Sequence, residues 1–238
     1  MYLIQLHKGY LWNKVNKTII YLILLIAVLL ELILIKPFRQ VLPIWTLQML
    51  DTDYYRQSSF FFSKIVLILF SIYVFGIGFS QMGDNYSIVI TTRISNWKYY
   101  YTKFFSISYG LGIMVIGLFL IHVNIGFLFS KWYMLDSSIW KTYGEMYGLS
   151  VVYGSLSIVF VRIGKSIYAL FLPICLYLVS EVILDFNICQ QVISIFQLFL
   201  PVQMYNGSSY VLIYGLGHTM ILAIFYMLIA YITYVQKK

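Results

Sequence analysis

The sequence predicts an all-α integral membrane protein. It has six transmembrane helices, a short cytoplasmic helix between spans two and three, and a re-entrant hairpin before span six. Three observations carry this. Of 238 residues, 61% are hydrophobic and only 10% charged, whereas soluble domains carry about one charged residue in four. Surface-to-volume scaling does not let a soluble chain of this length hide so much apolar surface, and a bilayer removes that limit. Uncharged stretches long enough to cross about 30 Å of hydrocarbon recur along the chain. Aromatic residues make up 19% of it, and many of the 23 Tyr stand near the ends of those stretches, where their amphipathic rings suit the headgroup layer.

The spans are bounded by charge. The predicted crossings are 18–35, 65–83, 104–130, 146–161, 166–184 and 211–234. The stretch from Phe186 to Gln236 holds no Asp, Glu, Lys or Arg and only one His, His218, and it is too long for one crossing. Ile188 to Leu200 is too short to cross before Pro201 and the Asn206-Gly207-Ser208-Ser209 turn, so 187–209 reads as re-entrant or interfacial. The first apolar run ends in LIKPFRQ without a small-residue cleavage site and is expected to stay as a helix. Residues 1–17 are either a helix lying in the interface, with Lys8, Lys14 and Lys17 toward anionic headgroups, or a basic lead-in to span one.

The net charge of +8 sits mostly between apolar runs, which marks topology rather than nucleic-acid binding. Ten basic residues fall on the side of the termini: Lys8, Lys14, Lys17, Arg93, Lys98, Lys103, Arg162, Lys165, Lys237 and Lys238. Six fall opposite: Lys36, Arg39, Arg56, Lys64, Lys131 and Lys141. Asp51, Asp53, Asp136, Glu145 and Asp185 share that second side, and Asp84 lies on the first. This bias predicts a multi-pass protein of the cytoplasmic membrane with both termini in the cytoplasm. Cys175 and Cys189 form no metal or disulfide framework and read as small apolar fillers.

The segment MGDNYSIVITTRISNWKYYYTKFF, residues 82–105, is too polar to span and strongly patterned. Ile88, Val89, Ile90 and Ile94 give it an apolar side, Arg93, Lys98 and Lys103 recur every five residues, and Trp97 and Tyr99 to Tyr101 suit the interface. Two readings fit. One is a short helix docked on another surface, and the other is an ordinary positive-inside loop with an aromatic belt.

The order acidic residue, short apolar helix, Thr-Thr-Arg, Ser, Trp, then Lys at the next span resembles the coupling segment of the ABC-2 type transporter permeases. The small permeases of Gram-positive bacteria are the nearest in layout. The likeness covers the whole chain in layout and about twenty residues in motif. It implies that 82–103 is a coupling helix seated in a separate ATP-binding cassette subunit, with Asp84, Ile88, Ile90, Arg93, Ser95, Trp97, Lys98 and Lys103 as the coupling residues. It also implies a second permease chain, identical or related, and ATP and Mg held by the partner. Two departures stand out. Asp84 and Asn85-Tyr86-Ser87 replace the family's usual Glu and Gly-Thr pair, and Arg93 stands where Pro is common. They leave open which residues contact the ATPase.

The chain has no G-x-x-x-x-G-K-[ST] loop, so any ATP dependence has to come from such a partner. Apolar, aromatic-rich surroundings favour an amphipathic or hydrophobic cargo, peptide or lipid-like. Heavy use of Ile, Tyr, Phe, Asn and Lys fits an AT-rich genome, and in low-GC Gram-positive bacteria the resemblance implies peptide export or self-protection from antimicrobial peptides.

Four ionisable residues fall inside predicted spans: Glu31, His122, Glu181 and His218. Ionisable groups at membrane depth tend to face protein or water. Glu31 and Glu181 lie near span ends, where an interfacial or structural role competes with a substrate contact. His122 and His218 read as hydrogen-bonded packing residues or as proton carriers. The competing functions are a secondary transporter using these His and Glu residues, an integral membrane enzyme, and a non-transporting anchor or immunity subunit. The three His include no H-E-x-x-H, and no catalytic or metal-ligating set is predicted.

Overall fold

A computed structural model describes residues 14–41, 52–79, 95–129, 137–163, 166–186, 198–205 and 210–236. Among them six long helices occur: α1 (Lys14–Val41), α2 (Thr52–Gly78), α3 (Asn96–Phe129), α4 (Ser137–Ile163), α5 (Ser166–Phe186) and α6 (Gly215–Gln236). Between α5 and α6 lies a small antiparallel hairpin, β1 (Gln203–Tyr205) and β2 (Tyr210–Leu212), with Gln203 opposite Leu212. Gly215 then takes a φ of +75°, a left-handed conformation that glycine adopts without steric cost, and the chain turns into α6.

Long apolar runs without charge become helices because hydrocarbon offers backbone groups no other partner. Four segments among the described residues are long and apolar enough to cross a membrane: Tyr55–Gly78, Asn96–Phe127, Ser137–Val161 and Gly215–Thr233. Leu170–Glu181 in α5 is a shorter apolar helix, carrying Pro173 inside it.

Neighbouring helices alternate in direction. Along α2 the contacts Ser63–Tyr143, Ser71–Ser150 and Ile72–Ser157 climb α4 in the same sense. Against α3 they descend, from Ser59–His122 to Phe75–Phe104 and Phe79–Tyr100. Against α5 they descend too, from Lys64–Glu181 to Gly76 beside Leu170. Gly148 of α4 lies beside Thr219 near the start of α6, so α2, α4 and α6 run together and α3 and α5 oppose them. Leu24 beside Gly117 and Glu31 beside His122 set α1 parallel to α3.

The core is the α2–α4 seam. Gly154 leaves room for the Phe75 ring and the Ser71 hydroxyl of α2, and Ser71 and Ser157 donate across the seam to the carbonyls of Ser150 and Ile72 at 2.5 and 3.2 Å. Small residues and interhelical hydrogen bonds are what draw helices together in lipid, where apolar burial offers little. The outer faces of α1, α3 and α6 present exposed Leu, Ile, Phe and Tyr, among them Leu25, Leu29, Ile113, Ile221 and Phe225.

Four helices start earlier than the charge-free stretches suggested, the first of them α1, at Lys14 rather than residue 18. α2 begins at Thr52, so Arg56 and Lys64 belong to a helix rather than to the first loop. α3 begins at Asn96 and takes in Trp97, Lys98 and Lys103. α4 begins at Ser137 and takes in Lys141 and Glu145. Three of these charges are tolerated because each is answered in space: Lys64 by Glu181, Glu145 by the hairpin, and Lys103 by aromatic faces. Of the expected re-entrant element 187–209 only 198–205 are described, ending in β1; 187–197 and 206–209 lie outside the described residues, as do the terminal segment 1–13 and the stretch 80–94.

Candidate functional site

One end of the bundle gathers the buried side chains of Glu31, Ser59, Ser63, Lys64, His122 and Glu145. It is formed by the C-terminal ends of α1, α3 and α5, the N-terminal ends of α2, α4 and α6, and the hairpin. Tyr55, Ser59 and Ser63 follow one another at four-residue spacing on α2, which stacks them along one helical face. That face meets Glu31 of α1, His122 of α3 and Tyr143 of α4.

Ser59 is the centre. Its hydroxyl donates to Glu31 Oε1, and the same oxygen is hydrogen-bonded to His122 Nδ1. His122 Nδ1 lies 3.7 Å from Glu31 Oε1. His122 is fully buried and Glu31 is 3% exposed. Tyr55 and Phe60 stack on the imidazole at centroid distances of 5.4 and 5.1 Å. The Tyr55 hydroxyl donates to the His122 carbonyl at 3.4 Å, and the Tyr143 hydroxyl meets Ser63 Oγ at 3.3 Å. Glu31 Oε2 has no hydrogen-bond partner among the described residues.

Three further polar contacts flank this centre. Lys64, 1% exposed, reaches Glu181, 22% exposed, with Nζ 2.9 Å from Oε2. Beside it the Tyr153 hydroxyl meets Ser180 Oγ at 3.2 Å. Glu145 Oε2 accepts the backbone N–H of Leu212 at 2.8 Å and Gln203 Nε2 at 3.4 Å. A carboxylate on α4 thereby holds both strands of the hairpin against the bundle.

Of the intramembrane residues expected from sequence, Glu31 and His122 come together, while Glu181 engages Lys64 instead. His218 stands apart, its ring 5.1 Å from that of Tyr214. Ser59, Lys64, Tyr143 and Glu145 belong to the polar end and were missed. The four-residue repeat Tyr55, Ser59, Ser63 was the signal available for the first of them. Among the described residues no group of three or more His, Cys, Asp or Glu could hold a metal.

The opposite end carries the junction with the 82–95 segment. Asp84, Ile88, Ile90 and Arg93 lie outside the described residues. Ser95 precedes α3, and its carbonyl accepts the Tyr99 N–H at 3.1 Å, so it stands at the N-cap. Trp97 and Lys98 are exposed on the first turn. Trp97 sets its ring edge-on to Tyr231 of α6 at 4.6 Å, and Tyr100 packs on Tyr231 at 5.4 Å and on Phe79 of α2 at 5.2 Å. The Tyr100 hydroxyl donates to the Met227 carbonyl at 3.0 Å. Lys103 is buried with its ammonium 4.9 Å from the Phe79 ring centre and 5.5 Å from that of Tyr99, a favourable cation–π placement.

No family model, curated protein or solved structure matches the chain.

Proposed function

We propose that this chain is the transmembrane permease subunit of an ATP-driven exporter. In this reading it crosses the cytoplasmic membrane six times with both termini inside, and couples through residues 82–103 to a separate ATP-binding subunit. A second permease chain completes the pathway. The cargo is amphipathic or hydrophobic, a peptide or a lipid-like molecule.

The observation that supports it is the aromatic clamp at the base of α3. The 82–95 segment feeds directly into a helix whose first two turns are locked to α2 through Phe79 and to α6 through Tyr231 and Met227. A push on that segment is therefore delivered to three helices as a rigid-body displacement, which is what a docked ATPase requires. The alternation of six helices, with α2, α4 and α6 opposing α1, α3 and α5, agrees with the same layout. The test is to purify the chain from its native membrane in mild detergent and assay co-purifying proteins for ATP hydrolysis. A stoichiometric ATPase that is lost in Arg93→Glu supports the reading, and a chain that comes down alone and stable defeats it.

The Glu31–Ser59–His122 contact favours a second reading, a secondary transporter working through its own ionisable groups. That protein would move substrate without any ATPase, so the same purification separates the two.

A further inference from the structure

We infer that Glu31, Ser59 and His122 form a binding site for one exchangeable proton at the end of the bundle where α1 meets α2 and α3. The inference stands whether or not an ATPase is the partner, because it concerns the polar centre alone.

The hydrogen bonds argue it first. Ser59 Oγ contacts both Glu31 Oε1 and His122 Nδ1, yet a hydroxyl carries one hydrogen. When Ser59 donates to Glu31, Nδ1 has to hold a proton and donate to Ser59. When Ser59 donates to Nδ1, Glu31 has to be the acid and donate to Ser59. Both arrangements use the same three heavy atoms without moving them.

The arrangements interconvert by a balanced shift. Starting from imidazolium and carboxylate, the Nδ1 proton passes to Ser59 Oγ as the Ser59 proton passes to Glu31 Oε1. One N–H and one O–H bond break and two O–H bonds form. The products are a neutral imidazole protonated on Nε2 and a neutral carboxylic acid, and no charge leaves the site. Removing one proton from either state leaves a carboxylate beside a neutral imidazole.

That last state puts a net negative charge at a site where Glu31 is 3% exposed and His122 fully buried, and buried charges in proteins are ordinarily paired or hydrogen-bonded. The loaded site either cancels the charge with imidazolium or removes it. Oε2, without a hydrogen-bond partner among the described residues, offers a further place for the proton. Tyr55 of α2 and Tyr143 of α4 stand against this centre, with Ser63 hydrogen-bonded to Tyr143; the charged groups on the same stretches of these helices are Arg56 and Lys64 on α2, Glu145 on α4 and Glu181 on α5. Lys64 is matched by Glu181 and Glu145 by the Leu212 N–H. Arg56, three residues before Ser59 on α2, is the cation to test against His122.

Loading also bears on α1. That helix packs on α2 and α3 and brings to the contact a carboxylate in a segment that otherwise reads Leu, Ile, Val and Ala. Proton occupancy therefore bears on the contact that Glu31 makes with α2 and α3.

The experiment uses the full chain in lipid nanodiscs, followed by infrared difference spectroscopy and by NMR of labelled histidine between acid and neutral pH. The His122 signal is identified with His7→Gln and His218→Gln. The protonated-carboxyl band and the His122 ring signal are expected to change over the same pH range. The band should be lost in Glu31→Gln, the two changes should separate in Ser59→Ala, and Ser59→Thr, which keeps the hydroxyl, should behave as the parent. A band that persists in Glu31→Gln, or one that appears only when Arg56→Gln removes the competing cation, overturns the site. If Glu31→Gln does not fold, the parent decides alone: carboxyl and imidazole signals changing at unrelated pH overturn it.

Discussion

Lys64 of α2 and Glu181 of α5 form a two-pronged ion pair, with Nζ 3.0 Å from Oε1 and 2.9 Å from Oε2. The lysine ammonium also lies over Phe61, with Nζ 5.7 Å from the ring centre. One partner is sealed and the other reaches partly toward the outside. The sealed cation is the vulnerable half, because an ammonium that loses its carboxylate inside an apolar bundle has no water to replace it.

Glu181→Gln should therefore destabilise the fold by about 3 kcal/mol, the lower end for breaking a buried pair, since Glu181 is partly accessible. Replacing both residues by apolar ones, Lys64→Met with Glu181→Leu, should recover most of the loss. Thermal or denaturant unfolding in detergent, arranged as a double-mutant cycle, checks this. A single Glu181→Gln variant as stable as the parent would show that the pair is interfacial and replaceable by solvent.

Glu145 should hold the hairpin in place. Its carboxylate accepts a main-chain N–H from β2 and a side-chain amide from β1, and hydrogen bonds to a charged group contribute about 1.5–3 kcal/mol each. Glu145→Ala should raise the exchange rate of the Leu212 amide by a factor of ten or more, taking about 1.4 kcal/mol per decade. Glu145→Gln keeps a carbonyl acceptor and should lie between. Hydrogen exchange read by mass spectrometry on a peptide covering 210–214 makes the comparison, and equal exchange in Glu145→Ala and the parent removes Glu145 as the tether.

These contacts show where sequence reading stops. The helices were legible because hydrocarbon forces the backbone to satisfy itself, so uncharged runs announce spans. Their starts were not, because a charge inside a helix looks the same in sequence as a charge that ends one. Lys64, Lys103 and Glu145 sit inside helices, and what neutralises them lies on other elements. Lys64 and Glu181 are separated by three helices' worth of chain, and nothing local pairs them. Glu31 and His122 were each recognisable as ionisable groups at membrane depth, but Ser59, which joins them, is a common residue in a polar-looking helix start. The hairpin was half legible: Asn206-Gly207-Ser208-Ser209 marked a reversal, whereas two three-residue strands are too short for alternation to declare itself.

The α2–α4 seam should be intolerant of added volume. A Cβ at Gly154 would meet the Phe75 ring and the Ser71 hydroxyl, both fully buried. Gly154→Ala should cost about 1–3 kcal/mol through forced side-chain and backbone shifts. Gly144 lies on the same helix with nothing within 4 Å of the corresponding position, so Gly144→Ala should be neutral or gain up to about 1 kcal/mol from helix propensity. The melting temperature should fall in Gly154→Ala and hold or rise in Gly144→Ala. A stable Gly154→Ala protein would mean that α2 and α4 are farther apart than their hydrogen bonds indicate.

Trp97 tests whether the clamp transmits force. Its ring is 38% exposed, and an aromatic pair contributes only about 0.5–1.5 kcal/mol beyond burial, so Trp97→Ala should fold normally. What it removes is the edge-on contact to Tyr231, one of the ties between the base of α3 and α6. Tyr100 keeps its own contacts to Tyr231, Phe79 and Met227, so the end of α3 should loosen without detaching. Coupling free energies of about 1–3 kcal/mol correspond to 5–150-fold effects. Under the exporter reading, substrate-dependent ATP hydrolysis by the reconstituted complex should fall at least about fivefold in Trp97→Ala, while basal hydrolysis and complex assembly hold. Trp97→Phe, which restores a ring at the same point, should recover most of it. A Trp97→Ala complex as well coupled as the parent would place the transmission elsewhere, and Tyr100, with its hydrogen bond into α6, would be the next residue to remove.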